Sequence, residues 1–584
     1  MCGIAGEWRF DGAPVDRRAV RAMTQRLARR GPDGAGFHFD GSLGLGHRRL
    51  AVVDAAGGAQ PLTNEDGNLW LVCNGHVDDA REQAARLARR GHALSTASDC
   101  EVILHLYEDD PERFVERIGG MFAFALWDAR RRRLVLGRDR FGIKPLYFVR
   151  GTRHVRFASQ PGALAAAPGF DRRIDPRALA DCLTRLAIDD TRSIWRDVQR
   201  LPAAHVLVVE ADGSSTLRRY HEPPPAGSGT RAGRPAAAAR TLVRRLDTCV
   251  ERALRADGPV GVFLSGGLDS STLVALASRH RPGLPTFCAR IAAPGFDEGS
   301  HARLVARHFG TAHHELTIDA ATAARALPAL FDGLDEPFAD ASVVPTHLLA
   351  RFARGHAKAV LGGEGLDELH GGNPWHRDAS LFENGFNPWP GTGSALGDLA
   401  TGAFRRWLAG CEPAPARARR ARREDRLRDD LRRYLPADLL HKCDRAGMLA
   451  GLEIRVPALS RPFADHATAL PVAWRVDGRA GKKLLRRAVA RLLPPPVLSR
   501  PKRGFALPID AWLWQPGPFR DLVADLLHSA RCRQRGLFRQ RYVRRLWEDH
   551  ARLRALHGYR LWALFAIEAW YRRHVDGEAA ERTA

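Results

Sequence analysis

The chain has 584 residues, 45% hydrophobic and 27% charged, the balance of a soluble globular protein with room for two large domains. Its 90 lysines and arginines against 66 acidic residues give a net charge of +24, but the arginines are spread along the whole chain and form no basic patch with aromatics, so no nucleic-acid partner is expected. Nine scattered cysteines without a Cys-x-x-Cys pair argue against a disulfide scaffold and lend a zinc site no support, and no apolar run reaches the roughly 20 residues of a membrane span.

Residues 2–215 read as a β-rich domain with a few helices. Short apolar runs bounded by turn residues predict strands at 69–75, 121–128, 133–139 and 204–210, and apolar spacing of three and four predicts helices at 20–29 and 101–107. The start of the chain has no long apolar stretch, so no secretory leader is expected, and a reduced cytoplasmic setting fits. Residues 216–238, rich in Pro, Gly and Ala, read as a linker. From 239 to 575 the pattern turns to β/α. A helix over 239–255 leads into a strand at 259–267 that is apolar at nearly every position, as a buried parallel strand is. A helix at 270–278, a strand at 284–291 and a strand running into a Gly-rich turn at 356–365 continue the alternation. The last 150 or so residues read as mainly helical. Residues 386–393 are Pro- and Gly-rich, 417–432 form an Arg-rich solvated helix, and 576–584 form a polar tail.

Two chemical constellations stand out. Cys2 follows the initiator Met; with that Met removed, its α-amine, which titrates near 8, can serve as the base for its own thiol. Around it, in order, come Arg30-Gly31-Pro32-Asp33-Gly34, Gly46-His47-Arg48-Arg49-Leu50, Asn74-Gly75, Ser98-Asp99 and Gly119-Gly120-Met121-Phe122. The second is Ser265-Gly266-Gly267-Leu268-Asp269-Ser270-Ser271 between a buried strand and a helix. Glycines there let backbone approach phosphate, the helix start offers unpaired N–H donors, and Asp269 suits a hard cation such as Mg²⁺. No lysine follows in the Walker register. Gly362-Gly363-Glu364-Gly365-Leu366-Asp367-Glu368 supplies a second acidic loop.

Residues 2–190 resemble the class II, N-terminal-nucleophile glutamine amidotransferases, and residues 240–520 resemble the ATP pyrophosphatase domain of the glutamine-hydrolysing asparagine synthetases. The resemblance implies an α+β N-terminal-nucleophile sandwich of antiparallel sheets flanked by helices. An α/β domain with a parallel sheet and a helical C-terminal part would follow. It implies that Cys2 attacks glutamine, that Asn74 and the Gly75 amide form the oxyanion hole, and that Arg49 and Asp99 hold the α-carboxylate and α-ammonium. It further implies ATP and Mg²⁺ as cofactors. Leu264 and Ala289 would lie beside the adenine, with Ser265, Gly266, Gly267, Ser270, Gly362, Gly363 and Lys502 on the phosphates, Asp269 and Asp367 on the metal, and Glu364 at the adenylate. The reaction implied is amidation of a small carboxylate, aspartate by default, through an acyl-adenylate that releases AMP and pyrophosphate. A peptide or another carboxylate is the alternative acceptor, a non-catalytic homologue a minor one, and a homodimer is compatible. Three departures matter: His76 stands where the family carries a carboxylate in the glutamine site, and His370 with Asn373, and Ser460, alter loops near the acceptor. His76 is expected to weaken glutamine binding.

Overall fold

The computed structural model describes residues 2–228, 234–378, 381, 398–408 and 422–577. The readings at 386–393 and 578–584, and the first five residues of the Arg-rich stretch, lie outside these residues.

The N-terminal domain is a sandwich of two six-stranded sheets, and every strand pairing in it is antiparallel. In chain order the strands are β1 (Gly3–Arg9), β2 (Gly34–Asp40), β3 (Leu43–Arg49), β4 (Leu62–Thr63), β5 (Leu69–His76), β6 (Met121–Asp128), β7 (Arg133–Arg138), β8 (Tyr147–Arg150), β9 (His154–Ala158), β10 (Gln199–Arg200), β11 (His205–Val209) and β12 (Ser215–Arg219). One sheet runs β10-β8-β9-β1-β3-β2 and the other β12-β11-β7-β6-β5-β4. Strand β6, Met-Phe-Ala-Phe-Ala-Leu-Trp-Asp, is buried at all positions because both of its faces are covered. Ala123, Ala125 and Trp127 meet the other sheet, with Trp127 edge-on to Trp8 of β1 at 4.9 Å. Phe122, Phe124 and Leu126 pack with Leu87 of helix α2 (Ala80–Ala88) and with Val102, Ile103 and Leu106 of helix α3 (Val102–Asp109).

Strand β12 corrects the expected linker. Residues 215–219 pair with β11, and a helix already begins at Pro235, so the stretch between regular elements is shorter than 216–238. Ser-Thr-Leu-Arg-Arg is a polar edge strand, held by backbone bonds rather than by an apolar face, and its pattern therefore reads as loop.

The C-terminal domain is built on a five-stranded, all-parallel sheet: β13 (Val260–Phe263), β14 (Pro285–Ile291), β15 (Ala312–Ile318), β16 (Ala359–Leu361) and β17 (Glu453–Arg455), in the order β15-β14-β13-β16-β17. The chain leaves β13 toward β14 and leaves β16 toward β17. Their carboxyl ends therefore splay apart at a topological switch point, the place where open α/β sheets form a binding crevice.

The two domains share a hydrophobic core. One cluster runs from Val20, Leu27 and Trp195 to Phe338, Trp562 and Trp570, and the buried C-terminal helix Gly558–His574 sets Trp570 5.6 Å from Trp195. A large apolar interface of this kind fixes the relative placement of the domains. Among the described residues no helix is long and apolar enough to cross a membrane.

Candidate active site

Cys2 immediately precedes β1 and is buried. Its backbone N–H donates to Asn74 Oδ1 at 3.0 Å, which turns the Asn74 amide nitrogen inward. That nitrogen, Nδ2, is buried with no hydrogen-bond partner among the described residues. An orphaned buried donor beside a nucleophile is costly unless something accepts from it, and a developing oxyanion is such an acceptor. Gly75 follows in β5, opposite Phe122 of β6; a Cβ there would stand 2.6 Å from the Met121 carbonyl oxygen, so only glycine fits. Burial raises the Cys2 thiol above its usual value, opposed by the positive charge of the chain terminus.

His76, Asp99 and Arg49 are arranged less simply than their spacing suggests. His76 is buried, and its Nδ1 meets Asp99 Oδ2 at 2.8 Å; the same oxygen accepts the Val77 N–H at 2.9 Å. Burial works against ionisation of Asp99, but these two bonds outweigh it and hold its carboxyl below the usual range. His76 therefore contacts the very carboxylate expected to hold the glutamine ammonium. Asp78, which could have compensated for the missing carboxylate, is bonded to Ser460 Oγ of the other domain, and Asp79 accepts from Gly119 N–H and Gln83. The Arg49 guanidinium is bonded to the carbonyls of Asp54 and, at 3.1 Å, Ala55.

At the switch point of the parallel sheet, the loops after β13 and β16 come together. Gly266 has φ +69°, in the left-handed region. Ser265 Oγ, Ser270 Oγ and the backbone N–H of Ser265 and Gly267 form a tight hydroxyl-lined turn at the start of helix Leu268–His280. A Cβ on Gly363 would lie 3.2 Å from Asp269 Cβ, so glycine there lets the two loops approach, and one on Gly362 would meet Glu364 Oε2 of its own loop at 2.2 Å. Asp269 Oδ1 is buried without a partner. Glu364 Oε2 is likewise unpartnered, while Glu364 Oε1 accepts from Cys443 Sγ at 3.2 Å. The side chains of Leu264 and Ala289 pack into different core clusters, which leaves main chain at the strand ends.

One residue central to this crevice is absent from the sequence reading. Lys482 is buried, and its Nζ bridges Asp269 Oδ2 at 2.5 Å and Asp367 Oδ1 at 2.6 Å. Lys502, the lysine implied by the resemblance, pairs among the described residues with Asp367 alone, and its side chain is 36% exposed. Burial opposes ionisation of Asp367, yet the two lysines hold its carboxyl well below the usual range. Lys482 sits in a left-handed turn (φ +55°) just before helix Lys483–Val489, 213 positions from Asp269, and carries no local signature beyond Gly481-Lys482-Lys483. Arg500 was also missed: it donates to the Ser265 carbonyl at 2.8 Å and pairs with Glu298 at 2.5 Å, clamping the phosphate-type loop.

The two sites are joined by side chains. Arg30 donates through Nε to the Cys2 carbonyl at 3.1 Å and through both terminal nitrogens to Asp444 at 2.7 and 2.9 Å, fully buried. Asp444 follows Cys443, which touches Glu364. Arg455 does not line the nucleotide crevice; it pairs with Glu453 at 2.5 Å and donates to the carbonyls of Ala253 and Arg255. His370 is fully buried against Phe463 and held neutral by burial with a value near 3, and Ser460 donates to Asp78. Asn373 bonds Glu368 at 2.8 Å.

Comparison with known proteins agrees with this geometry. The glutamine amidotransferase domain family matches residues 1–221 and the asparagine synthase family matches residues 241–572. Asparagine synthetase [glutamine-hydrolyzing] 1 of Bacillus subtilis is 27% identical across 99% of this chain and 97% of its own length. A putative asparagine synthetase [glutamine-hydrolyzing] of Mycobacterium tuberculosis is 32% identical across 98% and 96%. Asparagine synthetase [glutamine-hydrolyzing] 3 of Bacillus subtilis is 29% identical across 86% of each. With both halves matched in order and nearly the full length aligned, the chain belongs to the glutamine-hydrolysing asparagine synthetase family, whose shared reaction is an ATP-dependent, glutamine-hydrolysing ligation.

Proposed function

We propose that the enzyme converts L-aspartate to L-asparagine, with ammonia released from glutamine at Cys2. The observation that carries the coupling of the two reactions is the path of contacts between the sites, Cys2 to Arg30, Arg30 to Asp444, and Cys443 to Glu364, and the choice of aspartate rests on the similarity to asparagine synthetases. A chain that only hydrolysed glutamine, or only cleaved ATP, has no need of that connection.

In the first domain the Cys2 thiol loses its proton to the α-amine of the processed chain and attacks the glutamine amide carbon. Asn74 Nδ2 and the Gly75 N–H donate hydrogen bonds to the oxyanion, and the amide nitrogen leaves as ammonia with the proton that the α-amine returns. Water then cleaves the thioester to glutamate. In the second domain a carboxylate oxygen of aspartate attacks the α-phosphorus of ATP, forming the acyl-adenylate and releasing pyrophosphate. Lys482 and Lys502 hold the departing phosphates. Ammonia attacks the acyl carbon, Glu364 Oε2 takes the surplus proton, and AMP leaves. The donor set suits Mg²⁺: Asp269 Oδ1 is buried without a partner, Asp367 adds a second carboxylate, and hard oxygens are what this ion takes. Once bound there with ATP, Mg²⁺ would neutralise phosphate charge.

Aspartate, ATP, Mg²⁺ and ammonia should give pyrophosphate, AMP and asparagine in equal amounts. Pyrophosphate release that ignores aspartate but responds to another carboxylate would overturn the choice of acceptor.

A further inference from the structure

On the outer side of the first domain, away from Cys2, four ligand-type side chains converge. Glu65 lies between β4 and β5, His92 just after α2, and His105 and Glu108 on α3. His105 Nδ1 is 2.8 Å from Glu108 Oε2 and 3.7 Å from Glu65 Oε2, and His92 Nδ1 is 3.2 Å from the same Glu108 oxygen. Glu65, His92 and His105 each place one ligand atom within 4.8 Å of the others. Ligand atoms at about 2.0–2.1 Å from a tetrahedral ion stand roughly 3.3 Å from one another, and the three separations of 2.8, 3.2 and 3.7 Å lie on either side of that value.

The outer contacts are equally specific. Each imidazole turns Nδ1 inward and Nε2 outward toward a carboxylate: His92 Nε2 meets Asp109 Oδ1 at 3.1 Å, and His105 Nε2 faces Glu101 Oε1 at 3.7 Å. His105 is fully buried, and its Nε2 makes no hydrogen bond. The second oxygen of each inner carboxylate is also tied, Glu108 Oε1 by Asn64 Nδ2 at 2.7 Å and Glu65 Oε1 by the Ala93 N–H at 2.8 Å. Asp109 is anchored in turn by Arg90 and Arg117. Carboxylates behind imidazoles, fixing the ring tautomer, are the usual outer contacts of a metal-bound histidine.

We propose that Glu65, His92, His105 and Glu108 form a structural zinc site in the glutaminase domain. Two imidazoles with carboxylates suit Zn²⁺ better than Mg²⁺ or Ca²⁺, which take oxygen shells; Glu65, His92 and His105 form the mutually close set and Glu108 adjoins both imidazoles. The absence of Cys-x-x-Cys spacing does not bear on it, since no ligand is a cysteine. The site would pin the segment leading to Asp99: Glu101, behind His105, accepts the backbone N–H groups of Ser95 and Thr96. The competing account is a metal-free cluster in which protonated histidines neutralise the carboxylates.

The test uses full-length protein stripped with EDTA, dialysed and titrated with zinc against a chromophoric chelator, comparing wild type with His92→Gln and Glu65→Gln. Glu65 is 39% exposed at its side chain, so its variant keeps the measurement open should His92→Gln fail to fold. Wild type should bind one equivalent of zinc that each folded variant loses or binds more than roughly a hundredfold more weakly, and zinc should raise the Tm of wild type only. No such equivalent, or one that survives both substitutions, would overturn the site and leave the protonated cluster.

Discussion

Replacing Lys482 with methionine tests the adenylation site most directly. The change keeps the length of the side chain and removes the charge that bridges Asp269 at 2.5 Å and Asp367 at 2.6 Å. Two buried carboxylates would then face each other with only Lys502 beside one of them, and breaking a buried ion pair from one side costs about 3–5 kcal/mol. The free protein should therefore lose stability, and added Mg²⁺ should restore more of it in Lys482→Met than in wild type. On the reaction itself, losing a fixed positive group at the departing phosphates is worth about 2.7–4 kcal/mol, a fall of roughly 10²–10³ in kcat. Lys502 touches one carboxylate from a partly exposed position. Lys502→Met should lose a single charged hydrogen bond, about 1.5–3 kcal/mol at most and less after solvent screening, or roughly ten- to a hundredfold. The assay is pyrophosphate release with ATP, aspartate and ammonia, alongside glutaminase activity, which both variants should keep. Wild-type pyrophosphate release by Lys482→Met, or greater damage in Lys502→Met, would refute the reasoning.

Cys2→Ala should abolish glutamine-dependent synthesis and leave ammonia-dependent synthesis intact, measured as asparagine formed from each nitrogen source; Asn74→Ala should lower glutaminase kcat by roughly 10²–10³ because it removes the orphaned donor. His76→Leu removes one of the bonds that depress Asp99, so the Asp99 carboxyl should rise. A depressed carboxylate stays charged as pH falls and a raised one does not. The glutamine KM of His76→Leu should therefore climb as pH drops from about 8 to 5, while wild type changes little; parallel profiles would contradict this. Arg30→Met leaves buried Asp444 with only the longer Lys144 contact at 3.9 Å among the described residues, with a loss of up to about 3–5 kcal/mol in denaturant unfolding, and should also raise the Asp444 carboxyl that Arg30 holds low.

The residues whose roles depend on the local path of the backbone were legible in the sequence. Cys2 stands out because it follows the initiator Met and because the motifs at 30–34, 46–50, 74–75 and 98–99 follow it in order. The loops at 265–271 and 362–368 are recognisable because a strand, a glycine turn and a helix start must be contiguous to hold phosphate. Apolar runs marked a β-rich first half and a parallel second half, the antiparallel arrangement came from the family resemblance, and β6 and β13 fall where their runs predict. The tertiary structure alone decided what depends on convergence. Lys482 meets Asp269 across 213 positions, and Arg30 meets Asp444 across 414, so neither contact leaves a spacing to read. The same holds for His76. Its identity showed a departure from the family, but only packing showed that the imidazole is buried against Asp99 and that Asp78 is drawn off to Ser460. Side-chain partners of this kind are set by how sheets and domains stack, and no local periodicity carries that information.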